Sequence, residues 1–312
     1  MDPFDKLSED VGALFRPQRQ WGEGQGLYLI WAFFFSGVGA GTWLVSTPLL
    51  FDVRLGLVAG FLLLVGASGG AHLAFLGRPL RFWRIVVHVR TSWLSRGMLG
   101  MLIFSVSGLL YLLPMFAAGV PWSMASHFGE AMLVVSVLSA LWITTYKGFV
   151  FGAARGIPFW NSPILPPVFI GYAFRSGLAI LLLIAAAGGK VAGLHAVETT
   201  KLWTVVSAAA IVLFYVWIMK DSGVAAQRSV QELLRGRISL PFYLGVVLAG
   251  ILIPVAGGSL AFFTELPRSA VGAIAVASLI GDFYITYAIA KAGIYAPLTF
   301  GAFPRASGLE AI

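Results

Sequence analysis

Eight apolar runs, each about 20 residues or longer, restrict the possible fold of this polypeptide more than any other feature. They fall at roughly 26–50, 55–77, 97–119, 128–153, 166–188, 197–219, 241–263 and 269–292. Only 11% of the residues are charged, against about 25% in an ordinary soluble domain, and the mean hydropathy is +0.89. Backbone polar groups in lipid must be satisfied within the protein, which leaves helices or a closed barrel. A barrel needs short alternating strands and none is visible. The fold class expected is an all-α membrane protein of eight transmembrane helices.

Three regions follow. Residues 1–25 are a polar surface segment, with Asp2, Asp5, Glu9 and Asp10 followed by Arg16 and Arg19, and are expected to form a short surface helix. Residues 26–292 are the membrane domain, and 293–312 an irregular tail. The first 25 residues lack a positive stretch followed by an apolar core, so no cleavable signal peptide is expected. The absence of cysteine excludes disulfides, a thiolate-held iron–sulfur cluster, c-type haem attachment and a cysteine nucleophile. A two-haem membrane cytochrome needs two axial histidine pairs on its spans. Of His72, His88, His127 and His195, only His72 lies well inside a run, so no haem is expected. With few carboxylates, no metal site is evident either.

Eight spans put both termini on one side, here side A, together with the 2–3, 4–5 and 6–7 loops. Most of the 21 lysines and arginines fall there, while side B holds Arg54, Lys190, Lys201 and Arg268. The bias of basic residues in short loops places side A, and both termini, in the cytoplasm. A competing explanation is that the basic face docks an acidic partner subunit. The net charge of +8 is accounted for by basic loops at a membrane surface rather than by nucleic acid. Runs of small residues, Ser36–Gly41 and Gly66–Ala71, are read as close helix packing. They are not a dinucleotide fingerprint, because no strand precedes them.

Polar groups converge on side A. His72 and Tyr146 lie near the side A ends of spans 2 and 4, and Trp21 and Glu23 precede span 1. The 2–3 loop adds Arg78, Arg81, Arg84, His88, Arg90, Trp93 and Arg96, and the turn after span 4 adds Arg155, Trp160 and Asn161. A quinone headgroup suits such a place. Its carbonyls accept hydrogen bonds, its ring takes aromatic walls, and quinol oxidation needs a nearby proton acceptor. The plainer alternative is an interfacial belt, since Trp, Tyr, Arg and Lys gather at any membrane surface.

Arg175 and Asp282 lie near the middle of spans 5 and 8, where an isolated charge is costly. A mutual pair or a wet cavity is expected. A proton path through Arg175, Asp282, Glu130 and Glu198 is one reading, and an ion pair that fixes packing is the other. Glu130 and Glu198 sit at the side B ends of spans 4 and 6.

At Tyr146–Pro167 the sequence resembles the NrfD/PsrC family, the membrane subunits of complex iron–sulfur molybdoenzymes. The resemblance rests on Tyr146-Lys147-Gly148, Pro158-Phe159-Trp160-Asn161 and Leu165-Pro166-Pro167. Gly37, Gly39 and Gly41 in span 1, and the segments Leu76–Arg84 and Ser92–Gly97, support it. It implies two four-helix bundles, free of haem and iron–sulfur clusters, in a prokaryotic cytoplasmic (inner) membrane. The implied partners are a ferredoxin-like four-cluster iron–sulfur subunit and a molybdopterin or tungsten catalytic subunit, and the implied ligand is menaquinone or ubiquinone. The family's quinone-contacting Tyr maps onto Tyr146. Its Asn and His on the first span have no counterpart, because Leu29 to Ala32 is apolar here. His72, Trp21 and Glu23 are the candidates to replace them, with Trp93, Arg96, Trp160 and Asn161 around the site. Arg78, Arg81, Arg84, Arg90 and Arg155 are expected to dock the partner. The protein would then be a subunit of an oxidoreductase complex without a catalytic cofactor of its own. The rival from another class is a secondary transporter or ion channel, with Arg175 and Asp282 as midplane ligands.

Overall fold

The computed structural model describes residues 15–296. Its eight long apolar helices are α1 (Gly26–Ser46), α2 (Arg54–Phe75), α3 (Trp93–Met115), α4 (His127–Gly152), α5 (Leu165–Ala186), α6 (Leu194–Lys220), α8 (Pro241–Leu260) and α9 (Arg268–Ala292). Between α6 and α8 lies a surface helix, α7 (Val224–Leu234), in a loop where no element is expected from the sequence. Helices of 20–27 residues rise about 1.5 Å per residue, enough to cross a hydrocarbon core of about 30 Å. The protein is a multi-pass membrane protein.

The boundaries have local causes. Helix α1 stops at Ser46, earlier than expected, because Thr47 precedes Pro48 and is extended (ψ 158°). Helix α3 starts at Trp93 rather than 97, because the Ser92 hydroxyl accepts from the Ser95 N–H at 3.3 Å and caps it. Ser126 caps α4 in the same way through Gly129 N–H at 3.2 Å. Residues 62–68 of α2 and 241–252 of α8 are wound as π-helix, which rotates the faces of those helices relative to a regular α-helix.

Helices α1–α4 pack as one four-helix bundle, and α5, α6, α8 and α9 as a second. The bundles meet along α1 and α5, the most enclosed of the eight. This contact depends on glycine. A Cβ on Gly41 would lie 1.7 Å from the Ala173 carbonyl oxygen, and one on Gly177 would lie 2.4 Å from the Gly41 carbonyl. The small-residue run of span 1 is thus a packing surface. That of span 2 is different: Cβ atoms on Gly66, Gly69 or Gly70 would meet nothing within 4 Å.

The described part of the N-terminal segment, residues 15–25, is not helical, and residues 1–14 lie outside the described residues. Pro17 forms an isolated antiparallel bridge with Ile294, and Gln18 N–H donates to the Gly293 carbonyl at 2.8 Å. Trp21 turns inward and stacks on Trp160 with ring centroids 5.0 Å apart. Apart from residues 293–296, the expected C-terminal tail also lies outside the described residues.

Candidate functional site

Two of the polar residues singled out in the sequence meet in one hollow. His72, from the last turn of α2, and Tyr146, from α4, line it with Leu76, Ile85, Leu94, Met98 and Met101. The hollow is small, with a cavity volume of ≈ 20 Å³. Tyr146 reaches this position because α3 has glycine opposite: a Cβ on Gly97 would lie 2.3 Å from its ring. The Tyr146 hydroxyl has no hydrogen-bond partner among the described residues.

The histidine's tautomer follows from its neighbours. His72 Nδ1 lies 2.9 Å from the Ser68 carbonyl oxygen, which can only accept. In the neutral ring Nδ1 therefore carries the proton and Nε2 keeps a lone pair. Ser68 closes the π-helical part of α2, and its hydroxyl donates to the Ala32 carbonyl at 2.9 Å. The pair thus offers one donor, the Tyr146 hydroxyl, and one acceptor, His72 Nε2, between apolar walls. That donor set fits a quinone or quinol ring. The room requires the side chains of Ile85, Met98 and Met101 to move, and methionine is well suited to repacking.

The segment Pro79–His88 forms a 3₁₀ turn over this hollow. It contributes Ile85 to the lining, while Arg81 and Arg84 are exposed. Arg78, Arg90 and Arg155 are exposed on the same side. Arg96 ties the segment to α3 by donating to the Val89 and Arg90 carbonyls, each at 2.9 Å, and its guanidinium lies 4.4 Å from the Trp93 ring. Trp93 stacks on Phe149 with centroids 4.5 Å apart. Arg96 and Trp93 therefore brace the roof and do not line the hollow.

The other expected contacts lie apart. Trp21 and Trp160 stand in an aromatic group with Phe151 and Phe33, and Phe33 touches the rings of both His72 and Tyr146 edge-on. Trp160 is buried and donates to the Ile289 carbonyl at 2.7 Å. Asn161 is exposed in a separate surface hollow with Arg155 and Ser222. Glu23 faces outward and pairs with Lys291, which lowers its pKa through that hydrogen bond.

At mid-membrane, Arg175 and Asp282 form the mutual pair that burial demands, with Nη2 and Oδ1 2.5 Å apart. Ser176 donates to Asp282 Oδ2 at 2.6 Å, and Arg175 Nη2 donates to the Ser278 carbonyl at 3.1 Å. Two lysines join the membrane interior unforeseen. Lys147 and Lys201 counted as interfacial charges in the sequence, yet both are buried. Lys147 Nζ donates to the Phe33 carbonyl at 3.0 Å, and Lys201 Nζ to the Arg175 carbonyl at 2.6 Å. Glu198 shares a hollow with Lys201. Glu130 does not belong to this group: it is exposed on α4, 3.9 Å from His127.

The sequence is similar to those of known proteins. The C subunit of polysulfide reductase from Wolinella succinogenes is 26% identical over 58% of the present sequence and 62% of its own length. The NrfD homolog of Haemophilus influenzae is 29% identical over 52% of the present sequence and 51% of its own. Protein NrfD of Escherichia coli is 25% identical over 70% of the present sequence and 72% of its own. The match thus spans less than two thirds of the first two relatives. The family model described as polysulphide reductase, NrfD matches residues 21–297 and so the whole membrane domain; the protein belongs to that family.

Proposed function

We propose that this protein is the membrane anchor and quinone-reactive subunit of an oxidoreductase complex in a bacterial inner membrane. It passes electrons between the quinone pool and a partner iron–sulfur subunit, which serves a molybdopterin-type catalytic subunit. The observation that carries this reading is the meeting of Tyr146 and His72 in one hollow beneath an exposed basic segment.

A bound quinol supplies two electrons and two protons. The protein's own residues hold it and manage the protons. The Tyr146 hydroxyl would donate to a ring oxygen, the hydroxyl of the quinol or the carbonyl of the quinone. His72 Nε2 accepts from a ring hydroxyl, and the Ser68 carbonyl steadies the imidazole as it becomes charged. Leu76, Leu94, Met98 and Met101 exclude water. Arg78, Arg81, Arg84, Arg90 and Arg155 attract an acidic partner surface and bring its cluster over the hollow. Arg175, Asp282 and Glu198 support proton movement toward side B, and side A, with both termini, faces the cytoplasm.

The test is Tyr146→Phe in the intact complex. Quinol-linked turnover should fall about tenfold, the worth of one well-placed hydrogen bond of about 1.4 kcal/mol, while turnover with an artificial dye is unchanged. If both activities stay at the wild-type level, the site is elsewhere. The transport reading draws on the midplane charges, and solute or ion flux through the protein alone in sealed vesicles would replace the quinone reading with it.

A further inference from the structure

Lys201 stands between the Arg175–Asp282 pair and a hollow that leads toward side B. Its Nζ reaches the Arg175 carbonyl at 2.6 Å and the Ser278 hydroxyl at 2.5 Å. Around it are Arg175 on α5, Glu198 on its own helix, and Asp282 on α9. No carboxylate forms an ion pair with Lys201 among the described residues. Asp282 is already engaged by Arg175 and Ser176. One carboxylate thus serves two buried cations, and a guanidinium cannot release its proton whereas a buried lysine can. Among the described residues Arg175 Nε and Nη1 and the Tyr172 hydroxyl are buried without a hydrogen-bond partner, and Asp282 Oδ1 meets Arg175 only as an ion pair, so the cluster has polar groups left for a second arrangement.

On the other side of Lys201 is a hollow between α6, α8 and α9, in which Glu198 and Lys201 are the charged members of a lining otherwise made by apolar residues such as Leu202, Pro254, Val271 and Ile274. Glu198 lies one turn nearer side B, with its side chain 23% exposed and 3.9 Å from His195.

We propose that Lys201 is a proton-loading site, filled from side B through Glu198, which lines the same hollow. The neutral amine takes one proton: an O–H bond at the Glu198 carboxyl breaks, an N–H bond forms on Nζ, and the Glu198 carboxylate is reprotonated from side B. The new ammonium then competes with Arg175 for Asp282. This deepens the proton-transfer part of the proposed function and rests on that reading for its driving force.

The experiment uses the full complex in sealed vesicles, with a pH-sensitive dye confined to the side B compartment. During quinol-linked turnover, Lys201→Met and Lys201→Arg should abolish the side B proton change, and Glu198→Gln should slow it at least tenfold. Turnover with an artificial dye should not change. Lys201→Arg keeps the charge and the donors, so it remains informative if Lys201→Met fails to assemble. Wild-type proton stoichiometry in assembled Lys201→Arg overturns the proposal and leaves the quinone reading intact. If the wild type shows no quinol-linked turnover, the quinone reading falls, and an imposed potassium diffusion potential without quinone then tests Lys201 alone. Uptake of up to one proton per protein molecule from side B in the wild type but not in Lys201→Arg supports the site. Equal uptake in both, or none in the wild type, overturns it.

Discussion

In the first bundle Tyr146 and His72 leave polar atoms facing a hollow, whereas in the second Arg175 Nη2 and Asp282 Oδ1 turn on each other. Both pairs are buried at nearly the same level. The first pair is uncharged in its resting form and sits beside flexible apolar side chains. The second is charged and held by Ser176, the Ser278 carbonyl and the face of Tyr172, 4.5 Å from the guanidinium. An uncharged hydroxyl can wait in lipid for a ligand at modest cost, but a lone charge cannot. Sites for a ligand and sites for a structural or proton-carrying charge are therefore distinguishable by what each polar atom already touches.

The largest effect expected from breaking this contrast is on the charged side. Asp282→Asn leaves Arg175 without its counter-charge and should destabilise the folded protein by about 3–5 kcal/mol. Removing both charges, as Arg175→Met with Asp282→Leu, should recover most of that loss. Thermal unfolding of the detergent-solubilised protein measures both. If the single and double variants are equally unstable, the pair is not what holds α5 to α9.

A smaller effect is expected on the uncharged side, where the lever is steric. Gly97→Ala puts a methyl 2.3 Å from the Tyr146 ring, which is buried and has little freedom to yield. Overpacking of this kind costs about 1–3 kcal/mol. It should also displace the phenol and lower quinol-linked turnover at least as much as Tyr146→Phe. Gly66→Ala is the control, because its Cβ meets nothing within 4 Å and alanine favours a helix by about 0.5–1 kcal/mol. Equal turnover in the two glycine variants would mean that the position of Tyr146 does not matter to the chemistry.

What the sequence revealed follows the same division. The eight spans were legible because a helix in lipid needs a continuous apolar run, and the pairing of Arg175 with Asp282 was one of two arrangements expected, a wet cavity being the other, because an isolated mid-span charge is costly. His72 and Tyr146 stood out as polar residues at one depth. Lys147 and Lys201 were misjudged because each lies within two or three turns of a helix end, where a lysine commonly snorkels to the surface. Their inward aim depends on helix rotation, which apolar composition does not encode. The π-helical turns of α2 and α8 left no periodic signal either, yet residues 62–68 set the face on which His72 emerges. Asn161 was grouped with Tyr146 by adjacency along the turn, and the backbone carries it outward instead.

The smallest effect lies at the water-facing end, where the Glu23–Lys291 pair sharpens the comparison with Arg175–Asp282. Both pairs join distant parts of the sequence, and the outer one ties the N-terminal segment to the end of α9. The hydrogen bond from Lys291 holds the Glu23 pKa below its ordinary value of 4.5, and Arg19 and Arg237 act in the same direction. A carboxyl with a lowered folded-state pKa stabilises fully above its unfolded pKa, and the contribution disappears as pH falls through the folded one. Wild type should therefore exceed Glu23→Gln in melting temperature at neutral pH, and the gap should close as the pH drops below about 4.5. Added salt should narrow it as well, because water and ions screen an exposed pair. Arg175–Asp282, shielded from both, should show neither dependence over the same range. If acid closes the gap for Asp282→Asn as readily as for Glu23→Gln, water reaches the midplane pair, and the division between the two kinds of polar site fails there.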